Sequence, residues 1–237
     1  MRSVGSGAVI RIAPSILAAD FGELARAVAE VSPEVDWLHV DVMDGHFVPN
    51  LTVGPPVVAS LHRHSNLYLD CHLMVSNPGD LLESFRRSGA GGCSVHAEVG
   101  DTKELLAEMH GLGLRAGLAL NPDTPLEAAL PYLDTLDVLL VMTVVPGFGG
   151  QAFMPAPLGK VTTARRLAEE KGLSLDIEVD GGIDPQSGRS SVMAGANILV
   201  AGTAVFGAPS PAAAVRAMRE AALQAIGECP APAADRE

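Results

Sequence analysis

Eight short apolar runs, each followed by a polar or glycine-bearing turn and then an amphipathic stretch, alternate along most of the 237 residues. That alternation predicts an α/β fold, a single-domain parallel (β/α)8 or TIM barrel, because an open doubly wound sheet usually has fewer strands. Two further observations agree. Two histidines and two aspartates lie at the C-terminal ends of three separated runs, and glycine-rich turns follow the last three runs, where such barrels place their active site.

In chain order, the strands are expected at 9–17 (VIRIAPSIL), 37–43 (WLHVDVM), 67–75 (LYLDCHLMV), 92–98 (GCSVHAE), 114–120 (LRAGLAL), 137–145 (DVLLVMTVV), 174–179 (SLDIEV) and 197–202 (NILVAG). Helices are expected between them, near 22–31, 55–64, 78–88, 102–111, 124–131, 156–171, 185–194 and 210–226. Asn77-Pro78, Asp101-Thr102 and Asp184-Pro185 read as helix starts, where a cap side chain or an N1 proline answers the free amides. The barrel domain is expected over 9–226, between a flexible N-terminal segment (1–8) and a flexible C-terminal tail (227–237) whose compositions bury little.

Composition excludes several function classes. A formal charge of -12 argues against a nucleic-acid surface, and no apolar run is long enough to span a membrane. An anionic substrate therefore needs local donors rather than a basic field. Three cysteines, Cys71, Cys93 and Cys229, read as two reduced core thiols and one tail thiol. MRSVGSGA has no charged region followed by a long apolar segment, so a cytoplasmic protein is the expectation.

Residues 38–50, LHVDVMDGHFVPN, carry the densest chemistry. Alternate side chains of a strand share a face, so His39, Asp41 and Met43 project together. His72 and Met74 repeat the pattern on the next strand, and Asp180 ends another before two glycines. An isolated His-x-Asp pair is more often a self-satisfying polar pair. Barrel closure, however, brings His39, Asp41, His72 and Asp180 to one mouth.

Glycine lets a backbone approach a ligand closely, and exposed amides at helix starts bind anions without a basic side chain. The Gly181-Gly182 and Gly202-Thr203 turns are therefore the expected phosphate cradle. The longer loop 146–155, PGFGGQAFMP, reads as a lid. Met43, Met74 and Met142 are either barrel filler or an apolar cap over the reacting carbons. His96 and Glu98 read as a satisfied polar pair at the mouth, and Glu178 shares parity with Asp180 and needs an inward partner. The chain has three lysines, Lys103, Lys160 and Lys171, all in helical stretches, which disfavours Schiff-base chemistry.

The motifs APSILAADF (13–21), HVDVMDGHFVPNLTVGPPVV (39–58), DCHLMV (70–75), GLALNPDTP (117–125), VMTVVPGFGGQ (141–151), EVDGGI (178–183) and AGTAVF (201–206) together resemble the ribulose-phosphate 3-epimerase family from about Ile12 to Phe206. The resemblance implies interconversion of D-ribulose 5-phosphate and D-xylulose 5-phosphate in the pentose phosphate pathway. It implies one divalent metal ion (Zn2+, Fe2+, Mn2+ or Co2+) on His39, Asp41, His72 and Asp180, with Asp41 and Asp180 also the acid/base pair. By the same resemblance, Ser15, His72, Gly147, Phe148, Gly149, Gly150, Gly181, Gly182, Gly202 and Thr203 contact the phosphorylated ketopentose. A homo-oligomer is expected, although no single exposed stripe in the sequence marks its interface. Two departures stand out: Thr143-Val144-Val145 replaces the usual Ser-Val-Asn, and Thr203 replaces a serine. Both threonines keep the hydroxyl, whereas Val145 removes an amide near the lid.

The chemistry of these residues suits that reaction. Epimerising a carbon next to a ketone requires an ene-diolate whose charge is held, with a proton removed on one face and returned on the other. The alternatives are an epimerase of a ketohexose phosphate such as allulose 6-phosphate, and a non-catalytic phosphosugar-binding barrel.

Overall fold

The computed structural model describes residues 9–35 and 37–228. Both flexible segments expected at the ends, 1–8 and all but the first two residues of 227–237, lie outside the described residues, as does Cys229. Eight parallel strands form one sheet: β1 (Arg11–Pro14), β2 (Trp37–Met43), β3 (Tyr68–Met74), β4 (Gly92–His96), β5 (Arg115–Leu120), β6 (Val138–Met142), β7 (Asp176–Asp180) and β8 (Ile198–Ala201). The order β1-β8-β7-β6-β5-β4-β3-β2 leaves β1 and β2 at the two edges, and a single parallel bridge from Ser15 to His39 closes them into a barrel. All eight expected strands are present, with ends shifted by up to a few residues.

The helices are α1 (Leu24–Val31), α2 (Pro55–His64), α3 (Gly79–Arg87), α4 (Thr102–Gly111), α5 (Leu158–Lys171), α6 (Pro185–Ala194), α7 (Thr203–Phe206) and α8 (Pro211–Glu228). The helix expected at 124–131 is instead two 3-10 turns, Leu126–Ala128 and Leu130–Tyr132. Pro131 lacks the amide that a continuing helix needs, and its ring crowds the preceding turn. The short α7 is an element that the sequence pattern does not announce. Of the three expected starts, Asp184 caps α6 through its carboxylate, which accepts from the Ser187 amide in a capping box. Asp101 sits in the left-handed region (φ 49°) and, like Asn77-Pro78, supplies no side-chain cap.

Strand alternation sorts the side chains into two populations. Leu38, Val40 and Val42 on β2, with Leu69, Cys71 and Leu73 on β3, face outward into the apolar layer shared with the helices. Cys71 and Cys93 are register partners in that layer, buried and unbridged. The alternate residues line the barrel axis and are unusually polar: His39, Asp41, Asp70, His72, Ser94, His96 and Glu178 are all buried. At the N-terminal end, Trp37 packs with Ala13, Ile198, Val200 and Tyr68. Arg11 and Arg115 each lie 5.3 Å from the Trp37 ring centroid and reach Asp176 at 3.2 and 2.7 Å. This floor is ionic and aromatic, and leaves the opposite end free for ligand. No described helix is long and apolar enough to cross a membrane.

Candidate active site

His39 and Asp41 project inward from β2, His72 from β3 and Asp180 from the end of β7. One ligand-type atom from each lies within 4.8 Å of all the others. Sequence reasoning places these four together, and the barrel does bring them together. His39 Nδ1 is 2.8 Å from Asp70 Oδ2, so Nδ1–H donates there and Nε2 faces the cluster. That Nε2 is 3.4 Å from Asp41 Oδ1 but out of hydrogen-bond alignment. His72 Nδ1 faces Asp41 Oδ1 at 3.2 Å and Asp180 Oδ2 at 3.8 Å. Ser15 donates its hydroxyl to Asp41 Oδ2 at 2.5 Å.

Burial and charge separate the two aspartates. Burial alone would raise the Asp41 carboxyl, but the His39 charge and the closeness of both imidazoles hold it well below the usual range. Asp180 is pushed up to about 7, by burial first and then by the Asp41 charge. Burial would lower His39, yet the Asp41 charge, the Asp70 hydrogen bond and the nearby Asp41 and Glu178 carboxyls raise it well above an ordinary histidine. Burial takes His72 down to about 4, and His96 adds to the fall while Asp41 partly offsets it.

The expected inward partner of Glu178 is the same histidine from below. Glu178 Oε1 is 3.4 Å from His39 Nδ1, and burial with the Asp70 charge pushes its carboxyl up to about 8. Among the described residues neither Glu178 oxygen has an aligned hydrogen-bond partner. Asp70 is a member of the site that sequence reasoning misses, although its parity with His72 already points inward. His96 is more than half of a self-contained pair: Nδ1 meets Glu98 Oε2 at 3.2 Å, while Nε2 meets His72 Nε2 at 2.8 Å. The sequence does not carry that contact, because it depends on how β3 and β4 sit side by side.

Above the cluster opens a cavity of about 240 Å³. It is lined by Ser15, Asp41 and Asp180, by Met43, Met74 and Met142, by Gly147, Phe148, Gly149 and Gly150, and by Gly181, Gly182, Gly202 and Thr203. His39 and His72 lie beneath this lining. The three methionines divide between two apolar patches, Met43 and Met74 with Val48, and Met142 with Val144. None of the three lysines lines the cavity; Lys103 is on α4, and Lys160 and Lys171 are on α5.

The loops that rim it are tightly specified. A Cβ on Gly182 (φ 66°) would stand 2.4 Å from the Phe153 amide nitrogen, so only glycine allows these two backbones to touch. Thr143 Oγ1 donates to the carbonyls of Asp180 and Gly181 at 2.9 and 2.7 Å, and the Met154 amide donates to the Thr143 carbonyl. Although Val145 lacks an amide side chain, other side chains hold the 146–151 loop. Gln151 Nε2 donates to the Val145 and Phe148 carbonyls, and Asn50 Nδ2 donates to the Gly147 carbonyl.

A model of the ribulose-phosphate 3-epimerase family matches residues 11–206, which takes in all eight strands and the whole cavity. The chain belongs to the ribulose-phosphate 3-epimerase family. As a member of it, the chain is an epimerase, an isomerase. The cytoplasmic isoform of ribulose-phosphate 3-epimerase from Oryza sativa is 46% identical over 223 residues, covering 92% of this chain and 96% of the relative. The Mycobacterium tuberculosis ribulose-phosphate 3-epimerase is 48% identical over 212 residues, covering 89% and 92%. Solved structures share the fold at much lower identity. A 3-hexulose-6-phosphate synthase superposes with a TM-score of 0.68 at 18% identity, covering 90% of this chain and 99% of that one. A KGPDC from Streptococcus mutans gives 0.71 at 16%, covering 91% and 98%. A phosphosugar-sized cavity suits the epimerase family, since 240 Å³ is at the small end for ligand pockets and too tight for a dinucleotide.

Proposed function

We propose that this enzyme interconverts D-ribulose 5-phosphate and D-xylulose 5-phosphate, with Asp41 and Asp180 as proton carriers on opposite faces of C3 and a divalent ion held by His39, Asp41, His72 and Asp180. The carrying observation is the convergence of those four side chains beneath a glycine-rimmed cavity.

The residues fit such an ion. His39 Nε2 is buried, lacks an aligned partner and faces two carboxylates, while its other nitrogen is committed to Asp70. Two imidazoles and two carboxylates suit Zn2+, Mn2+, Fe2+ or Co2+ better than Ca2+, which takes oxygen shells. When bound, the ion supplies Lewis-acid stabilisation of the negative charge that develops on the substrate oxygens.

The polypeptide does the proton transfer. Asp41 is ionised and ready to accept the C3 hydrogen of one epimer, with its Oδ2 oriented by Ser15. Burial and the Asp41 charge raise the proton affinity of Asp180, which suits it to carry a proton to the other face during turnover; its Oδ2 lies 3.8 Å from His72 Nδ1. Two carboxyls whose environments push them apart are the pattern expected of an acid and a base in one pocket. Met43, Met74 and Met142 exclude water from the reacting carbons. The backbone at Gly181-Gly182 and Gly202-Thr203 receives the phosphate, and the 146–151 loop covers the sugar.

A coupled assay on ribulose 5-phosphate tests the reading, run on chelated protein and again after each ion is restored. Activity absent after chelation and recovered with one of the four ions is the expected result. Full turnover in metal-free protein overturns the metal assignment.

A further inference from the structure

We propose that His96 and Glu98 form a hydrogen-bonded chain behind His72 that fixes which of its ring nitrogens is presented to the metal. The inference rests on the reading that His72 is a ligand, and adds two positioning residues to it.

The chain starts at His72 Nε2, which lies 2.8 Å from His96 Nε2. It continues from His96 Nδ1 to Glu98 Oε2 at 3.2 Å. Glu98 is itself held, its Oε1 accepting from the Asn121 amide at 3.1 Å and from the Thr124 hydroxyl. His96 is fully buried and clamped between rings, with Phe47 at 4.8 Å and His72 at 5.0 Å between centroids. His96 thus has no room to turn away, and Glu98, though partly exposed, is held by two donors of its own.

Counting hydrogens along the chain gives its direction. A carboxylate can only accept, so His96 Nδ1 carries the hydrogen that meets Glu98. A neutral His96 then has a lone pair on Nε2, and the one hydrogen between the facing nitrogens belongs to His72 Nε2. His72 Nδ1 is left bare, and that atom faces Asp41 and Asp180. Either arrangement sets one bare ring nitrogen against a carboxylate, His72 Nδ1 against Asp41 or His96 Nδ1 against Glu98; a cation held between His72 and Asp41 would relieve the first, whereas the second would point a His72 N–H at the metal position. His39 reaches the same end by a shorter route, since Asp70 accepts directly from its Nδ1 and Nε2 is the nitrogen bared when the ring gives up its second proton to bind an ion. The two ligand histidines thus present opposite nitrogens, each chosen by the group behind it.

The intermediary has a topological reason. His72 pairs in register with Ser94 on β4, and Glu98 lies four residues further along, in the turn Ala97–Val99. His96, at the end of β4, spans that gap.

The test is Zn2+ affinity of the full chain, measured by competition with a chromophoric chelator for wild type, Glu98→Gln, His96→Phe and Thr124→Val. Glu98→Gln and His96→Phe should weaken Zn2+ binding about 10–100-fold, with a smaller loss for Thr124→Val. Nuclear magnetic resonance of the Co2+-loaded protein gives a readout that general loosening does not. The His72 Nε2–H should appear as a shifted, slowly exchanging resonance in wild type, and exchange rapidly into D2O in His96→Phe. If His96→Phe does not fold, the partly exposed Glu98→Gln decides. Wild-type affinity in Glu98→Gln, with tight Zn2+ binding by the wild type, overturns this inference alone. A wild type that takes up no Zn2+, Mn2+, Fe2+ or Co2+ overturns it together with the metal reading.

Discussion

Ser15 and Asp41 meet across the seam of the barrel: the Ser15 backbone bridges to His39, and its hydroxyl donates to Asp41 Oδ2 at 2.5 Å. The residue that closes the sheet therefore also sets the rotamer of the proposed base. Ser15→Ala leaves a buried carboxylate oxygen without its donor, at a cost of about 1–3 kcal/mol. The expected outcome is a fall in kcat of about tenfold or more, with metal content retained. Steady-state kinetics alongside metal analysis check it, and unchanged kcat removes Ser15 from the machinery.

Metal uptake should depend steeply on pH. His39 is raised well above an ordinary histidine by its carboxylate neighbours, and Asp180 is pushed up to about 7 by burial and Asp41. Both must lose their protons to bind an ion, so protons compete below neutrality. Each protonated ligand lowers apparent affinity about tenfold per pH unit below its own pKa. Zn2+ affinity should then rise from pH ~5.5 to ~8, with proton release seen as buffer-dependent heat in calorimetry. A flat affinity profile contradicts the ligand set.

Two carriers on opposite faces leave an isotopic signature. On the proposed mechanism Asp41 takes one hydrogen and Asp180 returns another, so early product formed in D2O should carry deuterium at C3 in nearly every turnover. Asp180→Asn should lose epimerisation yet keep slow exchange of the epimer whose C3 hydrogen faces Asp41. Metal content has to be measured in that variant first, because Asp180 is also a proposed ligand. Substantial carry-over of the original hydrogen would show a single shared base.

Gly182→Ala probes the proposed phosphate end. The added methyl meets the Phe153 backbone at 2.4 Å, so the turn must shift. We expect kcat/KM for ribulose 5-phosphate to fall about 10²-fold, and the advantage of the phosphorylated sugar over free ribulose to shrink. Remote binding energy used at the reacting carbon shows in kcat as well as KM. An equal loss for both sugars would mean that the turn does not hold phosphate.

Much of this architecture is readable because strand parity is a local property. His39, Asp41 and Met43 alternate within seven residues, and so do Asp70, His72 and Met74, which puts each set on one face before any fold is known. Pro131 is equally visible, but the apolar pattern around it still suggests a helix over 124–131 that the proline does not permit. Asp101 carries the composition of a cap, yet its left-handed backbone turns the carboxylate away. What stays hidden depends on how separate strands sit side by side. The Ser15–Asp41 bond requires closure of β1 on β2, and the His72–His96 contact requires the register of β3 against β4. No spacing within one strand encodes either.

Thr143, Asp180, Gly181, Gly182, Phe153 and Met154 stitch the ends of β6 and β7 into one knot of backbone, with two threonine hydroxyl bonds, two amide bonds and a glycine contact too close for any side chain. The proposed cover over the sugar and the proposed seat for its phosphate would thus hang from a common post. Movement of either tugs the other, so a ligand that occupies only the phosphate seat already bears on the cover. A bare oxyanion and the full substrate should differ in how far they draw the cover down rather than in whether they engage it.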